Sequence, residues 1–122
     1  MIEAAVRSIL LAYPAVYEIV GTRIQPAPLS LQCTYPAISY LKVSNPYSRV
    51  AGHPRIQIDC WSKDWTECQT LAKAVETALD GYSGTVNGVN IEKIIPINSQ
   101  DFYDNETKLY NVPCDFFIIY RK

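Results

Sequence analysis

The sequence predicts an α+β fold, a two-layer sandwich in which two α-helices cover one face of a mainly antiparallel β-sheet. Three observations predict it. Helical periodicity occurs at the N-terminus and again past the middle of the chain. Alternating apolar residues mark strands after each of those segments. The resulting order is helix, strands, helix, strands, which suits helices packed together on one sheet face.

The elements follow in chain order. Ile2, Ala5, Val6, Ile9, Leu10 and Tyr13 recur at helical spacing. Pro14 ends this helix or begins a new turn, because proline has no backbone N–H to donate. Val16, Ile19 and Val20 predict one more short helical piece, stopped by Gly21. "TRIQPAPLSLQCTYP" reads as a short strand near residues 23–25 and then a loop, since Pro26, Pro28 and Pro36 remove ladder donors. Residues 37–43, AISYLKV, are strand-like, and residues 44–54 form a turn-rich connection. Ile56, Ile58 and Cys60 alternate with Gln57 and Asp59, as in a half-buried strand.

The helix after this strand is the clearest element. Trp65, Cys68, Leu71, Ala72, Val75, Ala78 and Leu79 make one apolar stripe. Asp64 caps the first turn, and Glu67 reaches back as in a capping box. Gly81 closes the helix. Asn87-Gly88 between Val86 and Val89 predicts a two-residue hairpin. The strand continues over residues 89–97, with a bulge where alternation slips at Lys93-Ile94-Ile95. Residues 98–108 read as a polar connection. Residues 109–120 form the last strand, in which Pro113 marks an edge or bulge position.

A chain of 122 residues fits one domain, residues 1–122, and buries roughly two thirds of its unfolded surface. Apolar residues make up 48% and charged residues 19%, a globular rather than a disordered composition. The net charge is −1 and the basic residues are scattered, so the electrostatic footprint of a nucleic-acid binder is missing. The opening "MIEAAVRSILLAYP" is broken by Glu3 and Arg7, which argues against a signal peptide or a membrane span and for a cytoplasmic start.

Residues that could carry chemistry are few. His53 is the sole histidine, in a Gly-His-Pro loop without flanking partners to place or tune a general base. Cys33, Cys60, Cys68 and Cys114 form no close pair of the kind zinc uses, and read as buried thiols. Asp101, Asp104 and Glu106 form an exposed acidic turn rather than a desolvated catalytic pair. Asp59 is an outward strand residue and Asp64 a helix cap. The turn "CWSKDW" has no glycine with which to cradle a phosphate. The expectation is a chain with no catalytic residue, no metal and no cofactor.

One feature exceeds this bland reading. Phe117 and Ile119 point opposite to Phe116 and Ile118, and Trp61 shares the face of Gln57 and Asp59. If helices cover one sheet face, these side chains meet water, and large bare apolar groups mark contact sites. Burying one Phe or Ile is worth roughly 1.5–3 kcal/mol. Trp61, Phe117 and Ile119 are therefore subunit-interface candidates. The competing expectation is that "PAPLSLQC" folds over this face.

Three blocks, in fixed order, carry a family resemblance. They are "MIEAAVRSILLAYPAV" followed by "VGTRI", then "YPAISYLKVS" with "RIQIDCWSKDWTECQTLAKAVETALDGYSG", and finally "DFYDNETKLYNVPCDFFIIYRK". Together they resemble the tail-completion, or head-to-tail joining, family of long-tailed bacteriophages, whose members are similar to tail terminators. Pro113 departs from the plain strand residue more usual there. The resemblance implies a structural protein of a phage or prophage virion tail, assembled in the bacterial host cytoplasm. Its copies would form a ring, commonly a hexamer, at the head-proximal end of the tail tube. That ring would end tube growth and join the tail tube protein to the head connector or adaptor, and genome DNA would pass through its channel without sequence-specific binding. Two loops are candidates for contacts to tube or connector, residues 45–54 with Tyr47, Arg49 and His53, and residues 101–108 with Phe102 and Tyr103. The alternative is a small ligand-binding or regulatory α+β domain without catalytic activity.

Overall fold

A computed structural model describes residues 2–30, 32–44 and 51–121. It contains three helices and eight strands among those residues: α1 (Ile2–Ala12), α2 (Pro14–Val20), β1 (Ile24–Pro26), β2 (Ala37–Ser44), β3 (Ala51–Gly52), β4 (Arg55–Ser62), α3 (Trp65–Leu79), β5 (Gly84–Val86), β6 (Val89–Ser99), β7 (Phe102–Asp104) and β8 (Leu109–Arg121). The sheet runs β1-β2-β4-β8-β6-β5, with β3 and β7 also paired to β8. The β1–β2 pair is parallel and the other pairs are antiparallel. The sheet curls strongly toward a half-barrel, so the flat two-layer sandwich with two helices is corrected to three helices on a curled sheet.

The helix count changes at Pro14. This residue occupies the first turn of α2, where a missing N–H costs nothing, and the chain restarts as a separate helix after Tyr13. Ile2, Ala5, Val6, Ile9 and Leu10 of α1 are buried, as their spacing predicts. Val16 and Val20 bury α2, and Gly21 ends it with φ +58° while donating its N–H to the Tyr17 carbonyl at 2.7 Å.

At the start of α3, Asp64 accepts a hydrogen bond from the Glu67 N–H at 2.9 Å. Glu67 reaches back through a relay rather than directly. The buried Ser62 hydroxyl donates to Glu67 Oε1 at 2.8 Å and accepts from the Asp64 N–H at 3.1 Å. The apolar stripe is buried from Cys68 to Leu79, but Trp65 is 52% exposed and does not belong to it. It occupies the first position of the helix, before the buried stripe begins at Cys68. Gly81 has φ +73° and donates to the Ile94 carbonyl at 2.9 Å, which ties the end of α3 to β6.

Asn87 and Gly88 both have positive φ, so the β5–β6 turn is the predicted tight hairpin. The Asn87 amide also donates to Ser8 Oγ on α1 at 2.9 Å. Strand β6 shifts register between Ile91 and Lys93 and again between Pro96 and Asn98, so its first bulge lies just before the expected place.

The long strand β8 is the spine of the sheet. Strand β4 pairs along one side of it. On the other side β6 pairs from Arg121 back to Cys114, and β7 takes over at Asn111. The expected polar connection over residues 98–108 is therefore the end of β6, then β7 and a turn. The expected turn-rich connection likewise holds β3, which pairs with the end of β8. Pro113 is not at an edge. Its carbonyl accepts from the Gln100 N–H at 3.2 Å, in the gap between β6 and β7. A strand residue points its N–H and C=O the same way, so the donor that Pro113 lacks would face that gap rather than β4.

The core lies between the helices and one sheet face. It joins the α1, α2 and α3 residues to Ile38, Tyr40, Ile56, Ile58, Cys60, Ile91, Ile94, Val112, Cys114, Phe116 and Ile118. The opposite face of β2, β4, β8 and β6 is left outside this cluster.

Candidate functional site

The open face is built from the outward residues of β2, β4, β8 and β6. Register sorts them into rows. At one end Arg55, Phe117 and Ile95 lie side by side, with Lys93 opposite Ile119 next to them. Phe117 and Ile95 are each 38% exposed, Ile97 is exposed beside them, and Ile119 is half-buried. At the other end Ala37, Trp61, Asn111 and Phe102 share a row. The Trp61 indole N–H donates to Ser39 Oγ at 2.9 Å, which leaves Trp61 half-buried across Ser39. Phe102 is 53% exposed. The two rows are six residues apart along β4, about 20 Å at the usual strand rise.

A polar belt fills the space between. Arg55 Nη2 bonds Asp115 Oδ2 at 2.6 Å. The Gln57 amide donates to Asp59 Oδ1 at 2.9 Å. Asp59 is 8% exposed, and its carboxyl is raised above the usual range, first by burial and then by the Asp115 charge, against a lowering by the Gln57 bond. The structure thus brings Phe117 and Ile119 together and sets Trp61 apart from them. Near the Trp61 end, Leu29, Cys33 and Tyr35 face Lys63 and Leu109 across a cleft.

The loop candidates divide as well. Tyr47 and Arg49 lie outside the described residues. His53 is exposed just before β4. Phe102 and Tyr103 lie on β7 rather than in a loop, and the Tyr103 ring meets Tyr110 at a centroid distance of 4.6 Å. Sequence reasoning missed Ile95, Ile97 and Leu41 as exposed apolar groups. The signal for the first two was the slipped alternation of β6, which turns extra apolar residues outward.

The chemistry of the remaining sites is sparse. Among the described residues no group of three or more His, Cys, Asp or Glu side chains converges on a metal-sized point. Cys60, Cys68 and Cys114 are buried in the core. Burial, chiefly, pushes the Cys68 thiol up to about 11. The Cys60 thiol is raised well above its ordinary value by the neighbouring Cys114 thiol and by burial. The Cys60 and Cys68 thiols stay protonated at neutral pH and make poor nucleophiles. A cavity of about 300 Å³ between α3 and the paired strands β6 and β8 is lined by Gln69, Lys73, Glu76, Asn98, Ser99 and Asp101, with no imidazole among its walls. Among the described residues no helix is long and apolar enough to cross a membrane.

No curated protein matches the chain. A chain from the solved virion of a native gene transfer agent (GTA) particle shares the fold with a TM-score of 0.77 and 17% identity, over 98% of this chain and 94% of that one. The sequence profile of the tail completion protein gp17 family matches residues 4–121, nearly the whole chain. The three sequence blocks, the fold and this match agree, and the chain belongs to the tail completion protein gp17 family.

Proposed function

We propose that this protein is the non-enzymatic subunit that completes a phage or prophage tail. Its copies close into a ring, sixfold in the simplest case, at the head-proximal end of the tail tube. The ring ends tube growth and presents the surface that meets the head connector, and the genome passes through its channel. The observation that carries this reading is the family match over residues 4–121. The likeness to a chain of a GTA virion supports it at the level of fold.

The physical chemistry fits an assembly role. A ring requires a heterologous interface, in which one patch of each copy meets a different patch of the next. Phe117, Ile95 and Ile119 offer a compact apolar patch for one half of it. Trp61 and Phe102, at the far end of the face, together with Tyr103 on β7, are contact candidates for a second partner such as tube or connector, and His53 is a contact candidate at the Phe117 end. Electron microscopy of the purified full chain mixed with isolated tail tubes tests the reading. Rings seated at one tube end are the expected result. A chain that remains monomeric and binds neither tube nor connector contradicts it.

A further inference from the structure

The two sides of the sheet carry the same short pattern, Ile-x-Pro, as Ile24-Gln25-Pro26 on β1 and Ile94-Ile95-Pro96 on β6. An unpaired strand edge offers its N–H and C=O groups to any second chain, so the groups that face outward at these places set whether copies can extend one another's sheet. On the β1 side the hydrogen bonds fix each direction. The Ile38 N–H donates to the Arg23 carbonyl at 2.9 Å, and the Ala27 N–H donates to the Tyr40 carbonyl at 2.9 Å. Arg23, Gln25 and Ala27 therefore face β2, and the backbone groups of Ile24 and Pro26 turn outward. The Ile24 carbonyl is taken by the chain's own Arg7, whose Nε donates to it at 2.8 Å. Pro26 has no N–H to offer. Beyond β1, the next residue of β2 to face outward is Lys42, whose ammonium lies 3.8 Å from Glu3, and an edge lysine discourages pairing.

The β6 side repeats this arrangement. Strand β5 pairs only with residues 89–91, so among the described residues no strand lies beyond residues 92–99. The Pro113 carbonyl faces the β6 side, where it accepts from Gln100, and by alternation Phe117 faces that side too. Ile95 is the partner of Phe117 and faces it, so its neighbours Ile94 and Pro96 turn their backbone groups outward. The Gly81 N–H agrees with this direction, because it reaches the Ile94 carbonyl from outside the β6–β8 ladder. Here again the isoleucine carbonyl is occupied from within the chain, and the proline two residues on has no donor. Ile95 and Ile97 are 38% and 40% exposed, so with a donor at position 96 this edge would be an apolar strand open to pairing.

We infer that Pro26 and Pro96 guard the two sheet edges against strand addition, each backed by an internal donor on the carbonyl two residues before it, so that a second copy of this chain is met through side chains rather than through a shared sheet. The guards stand on the backbone geometry alone, and the mode of contact between copies rests on the ring reading above. The consequence for assembly is physical. A subunit with two open edges can add copies head to tail, and such a contact grows into a filament wherever its rotation does not close. Closing both edges leaves the exposed side-chain patches to set the number and angle of neighbours.

Pro26→Thr and Pro96→Thr, made singly and together in the full chain, test the guards. Threonine suits strands and restores an outward N–H that no bond inside the fold needs, so circular dichroism and the urea midpoint should stay close to wild type. Sedimentation velocity without tail tubes is the main readout. The double variant is expected to form dimers or larger species at concentrations where the wild type does not, with new amide-exchange protection at residues 94–97 in Pro96→Thr. A double variant that sediments like the wild type overturns the proposal. So does loss of the fold, because a guard holds no interior structure together. Amide exchange of the wild type seated on isolated tail tubes tests the mode of contact. Unchanged exchange at residues 92–99 is expected, and new protection there would mean that copies share a sheet at this edge. A wild type that does not assemble on tubes contradicts the ring reading, and the proline variants still decide the guards.

Discussion

Asp64 shows how far a single residue can be read. Its position before a helical stripe predicts a cap, and its carboxylate accepts the Glu67 N–H. Asp64→Ala should cost about 0.5–2 kcal/mol, measured as a lower urea midpoint with unchanged slope. An unchanged midpoint would mean that the Ser62 relay satisfies the helix start alone. Asn87-Gly88 was equally legible, because two positive φ angles demand such residues. Trp65 was not. Spacing alone puts it on the stripe, and its exposure goes with its place at the first position of the helix, before the buried stripe begins at Cys68. Asp59 is outward, as alternation says. Its burial depends on Trp61 and Ser39 bonding across neighbouring strands, which periodicity does not encode.

Elements with strong local signals were recovered, among them α1, α3, the β5–β6 hairpin and the cores of β4 and β8. Of the short strands, β1 and β5 were expected, and β3 and β7 were lost. Strand β3 has two residues and β7 has three, and both are held by pairing with β8 at long range rather than by any pattern of their own. Pro113 belongs to this scale. The sequence places it at an edge or a bulge because proline breaks ladders; β8 is central, and the β6–β7 gap accepts the proline. If the gap is where its absent donor points, Pro113→Ala gains no hydrogen bond and releases the unfolded chain. The expected change is a loss of about 0.4–1 kcal/mol in chemical denaturation. A clear gain in stability would show instead that the proline interrupts pairing with β4.

For the whole molecule, periodicity predicted helices against a mainly antiparallel sheet, but not that the sheet would curl away from a two-layer sandwich. Curl arises from twist and from the two bulges in β6, whose positions depend on how neighbouring strands pair. The same curl and bulging explain why the apolar groups outside the core are not one panel. Phe117, Ile95 and Ile119 gather at one end, and Trp61 and Phe102 stand at the other, with the Arg55–Asp115 belt between. Two separated patches suit a subunit that touches a neighbouring copy with one and a different partner with the other.

The central claim, that the Phe117 end of the open face joins one copy to the next, is tested most directly by Phe117→Asp. Phe117 is 38% exposed, so the substitution should cost the fold no more than about 1–2 kcal/mol, less than truncating a buried Phe would. Sedimentation velocity of wild type and variant, each with isolated tail tubes, gives the answer. The account predicts tube-capping rings for the wild type and a folded chain that no longer assembles for the variant. Rings that form equally well with Asp at position 117 would contradict it.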